Sequence, residues 1–66
     1  MILPITITGR EYEAEVYFDD KLQVFYGWLL GFDDGINGVG KTLEDFENDV
    51  VEAYNLMFFG GIDEKE

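Results

Sequence analysis

Strand-like patterns come first in these 66 residues and one long helical pattern comes last, an order that predicts an α+β fold: a small three- to four-stranded antiparallel sheet packed on one C-terminal amphipathic helix. The spacing of apolar residues carries this reading. It alternates with a period of two from Ile5 to about Leu30, then changes to steps of three and four beyond Gly40. The change coincides with a glycine-rich stretch, Gly35 to Gly40, and with a helix start signal at Thr42.

The first expected strand is Ile5-Thr6-Ile7-Thr8, followed by a tight turn at Gly9-Arg10 and a second strand from Glu11 to Phe18. Side chains alternate along a strand, so Tyr12, Ala14, Val16 and Phe18 share one face while Glu11, Glu13 and Glu15 form a row of carboxylates on the other. Asp19-Asp20-Lys21 reads as the next turn and Leu22 to Leu30 as the third strand. Val24, Tyr26, Trp28 and Leu30 lie on one of its faces, Phe25 and Leu29 on the other. An apolar strand on both sides is either covered on both faces or presents an exposed aromatic patch, and one helix can cover only one face of so small a sheet. Gly27 and Gly31 mark a bulge or a close backbone approach, and residues 36–39 form a short last strand.

The helix is expected to open at Thr42, whose hydroxyl can accept a hydrogen bond from a first-turn N–H, with Glu44 and Asp45 at the positive end of the helix dipole. Leu43, Phe46, Val50, Ala53, Tyr54 and Met57 make one apolar stripe, and Glu44, Glu47, Asp49 and Glu52 occupy the remaining faces. The charged end, residues 62–66 after Gly60-Gly61, is expected to fray, and residues 1–66 form a single domain.

Composition narrows the function classes. The chain has no Cys and no His, which removes disulfides, the usual zinc ligands and the commonest general base. No cofactor or metal site is expected, and no nucleophile–base pair marks an enzyme. Fifteen acidic residues against four basic ones give a net charge of −11. Nucleic-acid binding depends on neutralising phosphates with Lys and Arg, so direct binding is not expected and a basic protein surface is the better partner. Met1-Ile2-Leu3-Pro4 has no basic leader and the run from Val24 to Phe32 is too short to cross a bilayer, so the expectation is a cytoplasmic protein without membrane attachment.

Two short motifs compete for the glycine-rich stretch. Residues Gly35 to Thr42 satisfy the phosphate-loop pattern G-x-x-x-x-G-K-[ST], but only twenty-four residues follow Thr42, and Asp33, Asp34, Glu44 and Asp45 surround the stretch with charge that repels a triphosphate. Asp33, Asn37, Gly38 and Glu44 fall at the first, fifth, sixth and twelfth positions of a calcium loop, but Gly35 stands where the third position needs an oxygen ligand. A glycine turn running into a helix cap explains the residues without either ligand.

Residues 12–18, Asp19-Asp20 and residues 24–28 are followed by Gly38-Val39-Gly40-Lys41-Thr42-Leu43-Glu44-Asp45-Phe46 and residues 48–53. This succession resembles the HicB-like antitoxin domain, whose members run strand, acidic turn, strand, glycine and short strand before a "G-x-T-x-E-E-A" entry into a helix. The likeness spans about two-thirds of the chain and is sharpest from Gly40 to Asp45. It departs from the family at Leu29-Leu30-Gly31-Phe32-Asp33-Asp34, which lacks the family's proline, and it carries an extra first strand where many members have a DNA-binding domain. The resemblance implies a fold that pairs into dimers and masks a small RNA-cleaving toxin.

The functional expectation is a small acidic protein inhibitor, antitoxin-like or a viral-type DNA mimic, that binds the basic surface of a nuclease or another nucleic-acid-processing enzyme. Glu11, Glu13 and Glu15 recur at about 6.8 Å along the strand, and Glu44, Glu47 and Glu52 are expected to add a parallel acidic ridge on the helix. Tyr17, Phe25 and Trp28 are the expected apolar anchors. The alternative is a structural subunit that forms a homo-oligomer through its aromatic strand, with the charge serving solubility. A homodimer is expected on either reading.

Overall fold

A computed structural model describes residues 1–32 and 35–59, and the backbone alone at residue 59. Four strands, β1 (Ile2–Ile7), β2 (Arg10–Asp19), β3 (Val24–Leu29) and β4 (Ile36–Gly40), form one antiparallel meander in the order β1-β2-β3-β4, and the helix α1 (Leu43–Phe59) lies on one face of it. This is the α+β sandwich that the change of period predicts. The tail 60–66 and the two aspartates Asp33 and Asp34 of the calcium-loop pattern lie outside the described residues.

The first hairpin turns one residue earlier than the sequence pattern places it. Ile7 pairs with Arg10, so Thr8 and Gly9 are the two loop residues, with φ of 50° and 83°. Positive φ at both central positions is the type I′ signature that matches the twist of flanking strands. β1 also begins earlier, at Ile2, and runs through Pro4, a residue that normally ends a strand. Its edge position explains this. Met1 and Val16 exchange both backbone bonds at 2.8 Å, which turns the N–H and C=O of every second residue, Leu3 among them, toward β2 and leaves Pro4 facing outward. Proline there forfeits no ladder bond and removes a donor from an exposed edge.

The core lies between sheet and helix. Ile5, Ile7, Ala14, Val16, Leu29 and Ile36 from the strands meet Phe46 and Val50 from α1, all buried, and Tyr12, Leu43, Ala53 and Tyr54 are half-buried around them. Burying an aliphatic or phenyl side chain of this size contributes about 1.5–3 kcal/mol. Glycine sets how close the helix comes. A Cβ built on Gly38 would stand 2.5 Å from Cγ2 of Val50, and one on Gly40 would meet the backbone N of Phe46. Gly35 to Gly40 is therefore mostly strand, with its two inward glycines serving as the seat of the helix. The backbone from Ile36 to Gly40 is extended there.

The helix start follows the expected cap, with the Asp45 N–H donating to Thr42 Oγ1 at 3.0 Å and the Phe46 N–H to the Thr42 carbonyl at 2.9 Å. Asp49, expected to be one more solvent charge, does something else: its Oδ2 accepts from the Val39 N–H at 2.9 Å. This N–H belongs to the outer edge of β4, so α1 closes one edge of the sheet as Pro4 blunts the other. The helix continues to Phe59, beyond the last residue of the expected stripe. No helix among the described residues is long and apolar enough to cross a membrane.

Candidate functional site

The face of the sheet opposite the helix has no cover among the described residues. The strand registers order it into rows. Thr6–Glu11 and Pro4–Glu13 come first, then Ile2–Glu15–Trp28–Asn37, then Tyr17–Tyr26–Val39, and last Asp19–Val24. The face thus grades from carboxylates at one end to aromatic rings at the other, and none of its strand residues is Lys or Arg.

Each half has a local cause. Alternation along β2 projects Glu11, Glu13, Glu15 and Tyr17 to the same side, as the sequence predicts. The pairing of Val16 with Gly27 then sets Trp28 across from Glu15 and Tyr26 across from Tyr17. Only glycine fits at 27, because a Cβ there would coincide with the Glu15 carbonyl oxygen. This close approach answers the expectation of a tight contact at Gly27. Tyr17 packs against Tyr26 with ring centroids 5.7 Å apart and planes 32° from parallel, and against Trp28 at 5.6 Å and 37°. Tyr17, Tyr26 and Trp28 remain 42%, 42% and 39% exposed, a large value for three adjacent aromatic residues. At the boundary of the two halves the Tyr17 hydroxyl donates to Glu15 Oε2 at 3.0 Å. That bond, followed by partial desolvation and the charge of Glu15, holds the Tyr17 phenol above its ordinary pKa.

At the acidic end an open groove of about 470 Å³ is lined by Pro4, Glu11, Tyr12, Glu13, Leu30 and Gly31. It continues the glutamate row toward the Leu30–Gly31 turn and has carboxylates on its wall.

Five of the nine sequence-predicted site residues, Glu11, Glu13, Glu15, Tyr17 and Trp28, therefore stand together on this face. Phe25 does not join them. It is half-buried on the helix side, where it stacks on Phe18 at 4.9 Å beside the turn from Asp20 to Gln23. Glu44, Glu47 and Glu52 project from α1, which packs on the opposite side of the sheet, so the helical acids form no ridge parallel to the glutamate row. They do not form a ridge of their own either: at about 100° per residue Glu47 and Glu52 point about 140° apart. Sequence reasoning left out Tyr26, Val39 and Ile2. Tyr26 was within its reach, because it shares the alternation of Trp28, whereas Val39 and Ile2 join the face only through register.

A second aromatic cluster lies under the end of the helix. Tyr12, Phe32, Tyr54 and Phe58 have centroids 4.7–6.0 Å apart, and the Tyr12 and Tyr54 hydroxyls are 3.2 Å from each other. This bond, with burial second, raises the Tyr54 pKa. Compared with protein-family models, curated proteins and solved structures, the chain matches none of them.

Proposed function

We propose that the protein is a non-catalytic acidic binding protein that docks its open sheet face on the basic surface of a nucleic-acid-handling enzyme and so inhibits it. One observation carries the reading: a glutamate row, Glu11, Glu13 and Glu15, is continuous with exposed Tyr17, Tyr26 and Trp28 on a single face whose described strand residues include no Lys or Arg. Aromatic anchors beside a charged field are what a protein interface uses, the rings for slow dissociation and the field for fast association. Aromatic side chains on a four-stranded sheet also stack nucleobases in some RNA-binding modules. Here the adjacent carboxylates and a net charge of −11 repel the phosphates that would come with the bases. The likeness of Gly40 to Asp45 to the helix entry of the HicB-like antitoxin domain supports the same class of target.

The test is capture from a bacterial lysate on the immobilised protein, in parallel with the Glu11→Gln/Glu13→Gln/Glu15→Gln variant, with the retained nucleases then assayed for inhibition. The expected result is a basic enzyme held by the parent protein at low salt, released at high salt, lost with the variant, and slowed in its activity by added protein. Identical retention by both proteins, or retained enzymes whose activity does not change, would overturn the proposal.

A homo-oligomeric assembly subunit is the second reading, favoured by the last turns of α1, where Leu56 and Met57 are exposed next to Phe58, the outermost ring of the second aromatic cluster, which is itself 48% exposed. Under that reading sedimentation finds a stable oligomer that a charge at Met57 dissociates while the glutamate variant leaves it intact.

A further inference from the structure

We infer that the open face binds arginine in particular, with a partner guanidinium stacked on the Tyr17–Tyr26–Trp28 platform and bonded to Glu15; the inference rests on the docking role proposed above. The rings argue for a flat cation. With tilts of 32° and 37° and centroids 5.6–5.7 Å apart, Tyr17 packs between Tyr26 and Trp28 as an offset, partly stacked array, and the three residues stay 39–42% exposed. An array of tilted rings that stays open to solvent suits one more planar group stacked against it. A spherical ammonium is held best by rings that enclose it on several sides, and this platform has no walls.

The acid beside the platform argues for a forked donor. Tyr17 occupies Oε2 of Glu15, so the carboxylate is oriented, and its other oxygen has no protein donor among the described residues. Glu13 follows two residues along the same face, and neither it nor Glu11 has a cationic partner among the described residues. Guanidinium combines both features: it is planar and weakly hydrated, stacks on aromatic faces and presents N–H groups in a fixed fork to carboxylates. Lysine would satisfy the charge but gains little from the rings, because its ammonium holds its water strongly. The charge complementarity of the face selects a basic protein segment over a nucleic acid, and the platform selects arginine within it.

Trp28 is the single tryptophan of the chain, so its fluorescence reports on this face alone. The experiment titrates the intact protein at low salt with hexa-arginine and, separately, with hexa-lysine of equal charge, following Trp28 emission and, for variants without Trp28, the anisotropy of labelled peptide. Circular dichroism confirms that each variant is folded, as the exposure of the substituted side chains leads one to expect. The expected result is binding of hexa-arginine about fivefold or more tighter than hexa-lysine, a preference erased by Trp28→Leu and by Tyr17→Leu, and weaker binding of both peptides by Glu15→Gln. Equal affinity for the two peptides, reduced together by the triple glutamine variant, would overturn the stacking inference and leave docking by charge intact. Arginine preference that survives Trp28→Leu would also overturn it. If neither peptide responds to the triple variant, the face takes no cation, and this inference and the docking proposal both fail.

Discussion

Trp28 and Leu29 are consecutive residues of β3 with opposite fates. Leu29 turns toward α1 and is 1% exposed among aliphatic neighbours, whereas Trp28 turns away from it and stays 39% exposed among tyrosines and glutamates. The same division runs through the sheet. Where the helix sits closest, the covered face is made of branched side chains and of Gly38 and Gly40, with the rings of Tyr12 and Phe25 packed around that core, whereas the open face joins exposed rings to acids. The covered face is shaped by packing: Gly38 lies where any larger residue would displace Val50. The open face has no such constraint within the fold. Rings that could have been buried remain in water there, which is the reason for assigning the interaction to it.

Substitutions at these two neighbours should give the largest contrast. Leu29→Ala removes a fully buried side chain and is expected to cost about 2–5 kcal/mol. A domain of this length has a total stability of about 3–10 kcal/mol, so much of the population should unfold. Trp28→Ala, despite deleting the larger side chain, should cost no more than about 1 kcal/mol, since it loses ring contacts at the surface and opens no cavity. Urea unfolding followed by circular dichroism measures both. Similar costs would mean that the open face is a second core, and the functional assignment would lose its basis.

The edge of the covered face provides a smaller effect. Asp49→Ala leaves the Val39 N–H of β4 without its acceptor and should cost about 1 kcal/mol, with Asp49→Asn, which keeps a side-chain oxygen, falling between it and the parent. The same change reopens a strand edge that the parent keeps closed, so sedimentation should show the alanine variant associating with concentration. An Asp49→Ala protein as stable and as monodisperse as the parent would remove the edge-closing role.

How much of this arrangement could be read beforehand depends on the kind of interaction involved. Alternation from Glu11 to Tyr17 and the cap at Thr42 are local, and both appear as the sequence predicts. The choice of face for the helix is not local. β3 is apolar on both sides, and the decision lies in Gly38 and Gly40 of β4, where a Cβ would meet Val50 or the backbone N of Phe46. Those glycines are visible in the chain, but within G-x-x-x-x-G-K-T they imitate a phosphate loop, and only the strand register reveals them as a seat. Asp49 likewise has the pattern of a solvent charge, because its partner is a backbone N–H ten residues away and no side-chain pattern marks such a contact. Glu44, Glu47 and Glu52 match the β2 row in acidity alone, and acidity carries no information about which side of a sheet a helix takes.

The finest comparison is between two phenols, one on each face. Tyr17 is raised in pKa first by its bond to the Glu15 carboxylate on the open face, and Tyr54 first by its bond to the Tyr12 hydroxyl under the helix, with Arg10 opposing. For both, the folded value lies above the unfolded value of about 10. Their contribution to stability is therefore fully present below about pH 10 and is lost as the pH rises through the folded value, since the unfolded chain gives up its proton first. Both phenols reach solvent, so the loss should be small. The causes can still be separated by following phenolate absorbance in an alkaline titration. Glu15→Gln should bring one phenol back toward its ordinary pKa, Tyr12→Phe should bring back a different one, and the double variant should show both changes in sum. If Glu15→Gln leaves the titration unaltered, the carboxylate is not held by Tyr17, and the oriented acid beside the aromatic platform has to be given up.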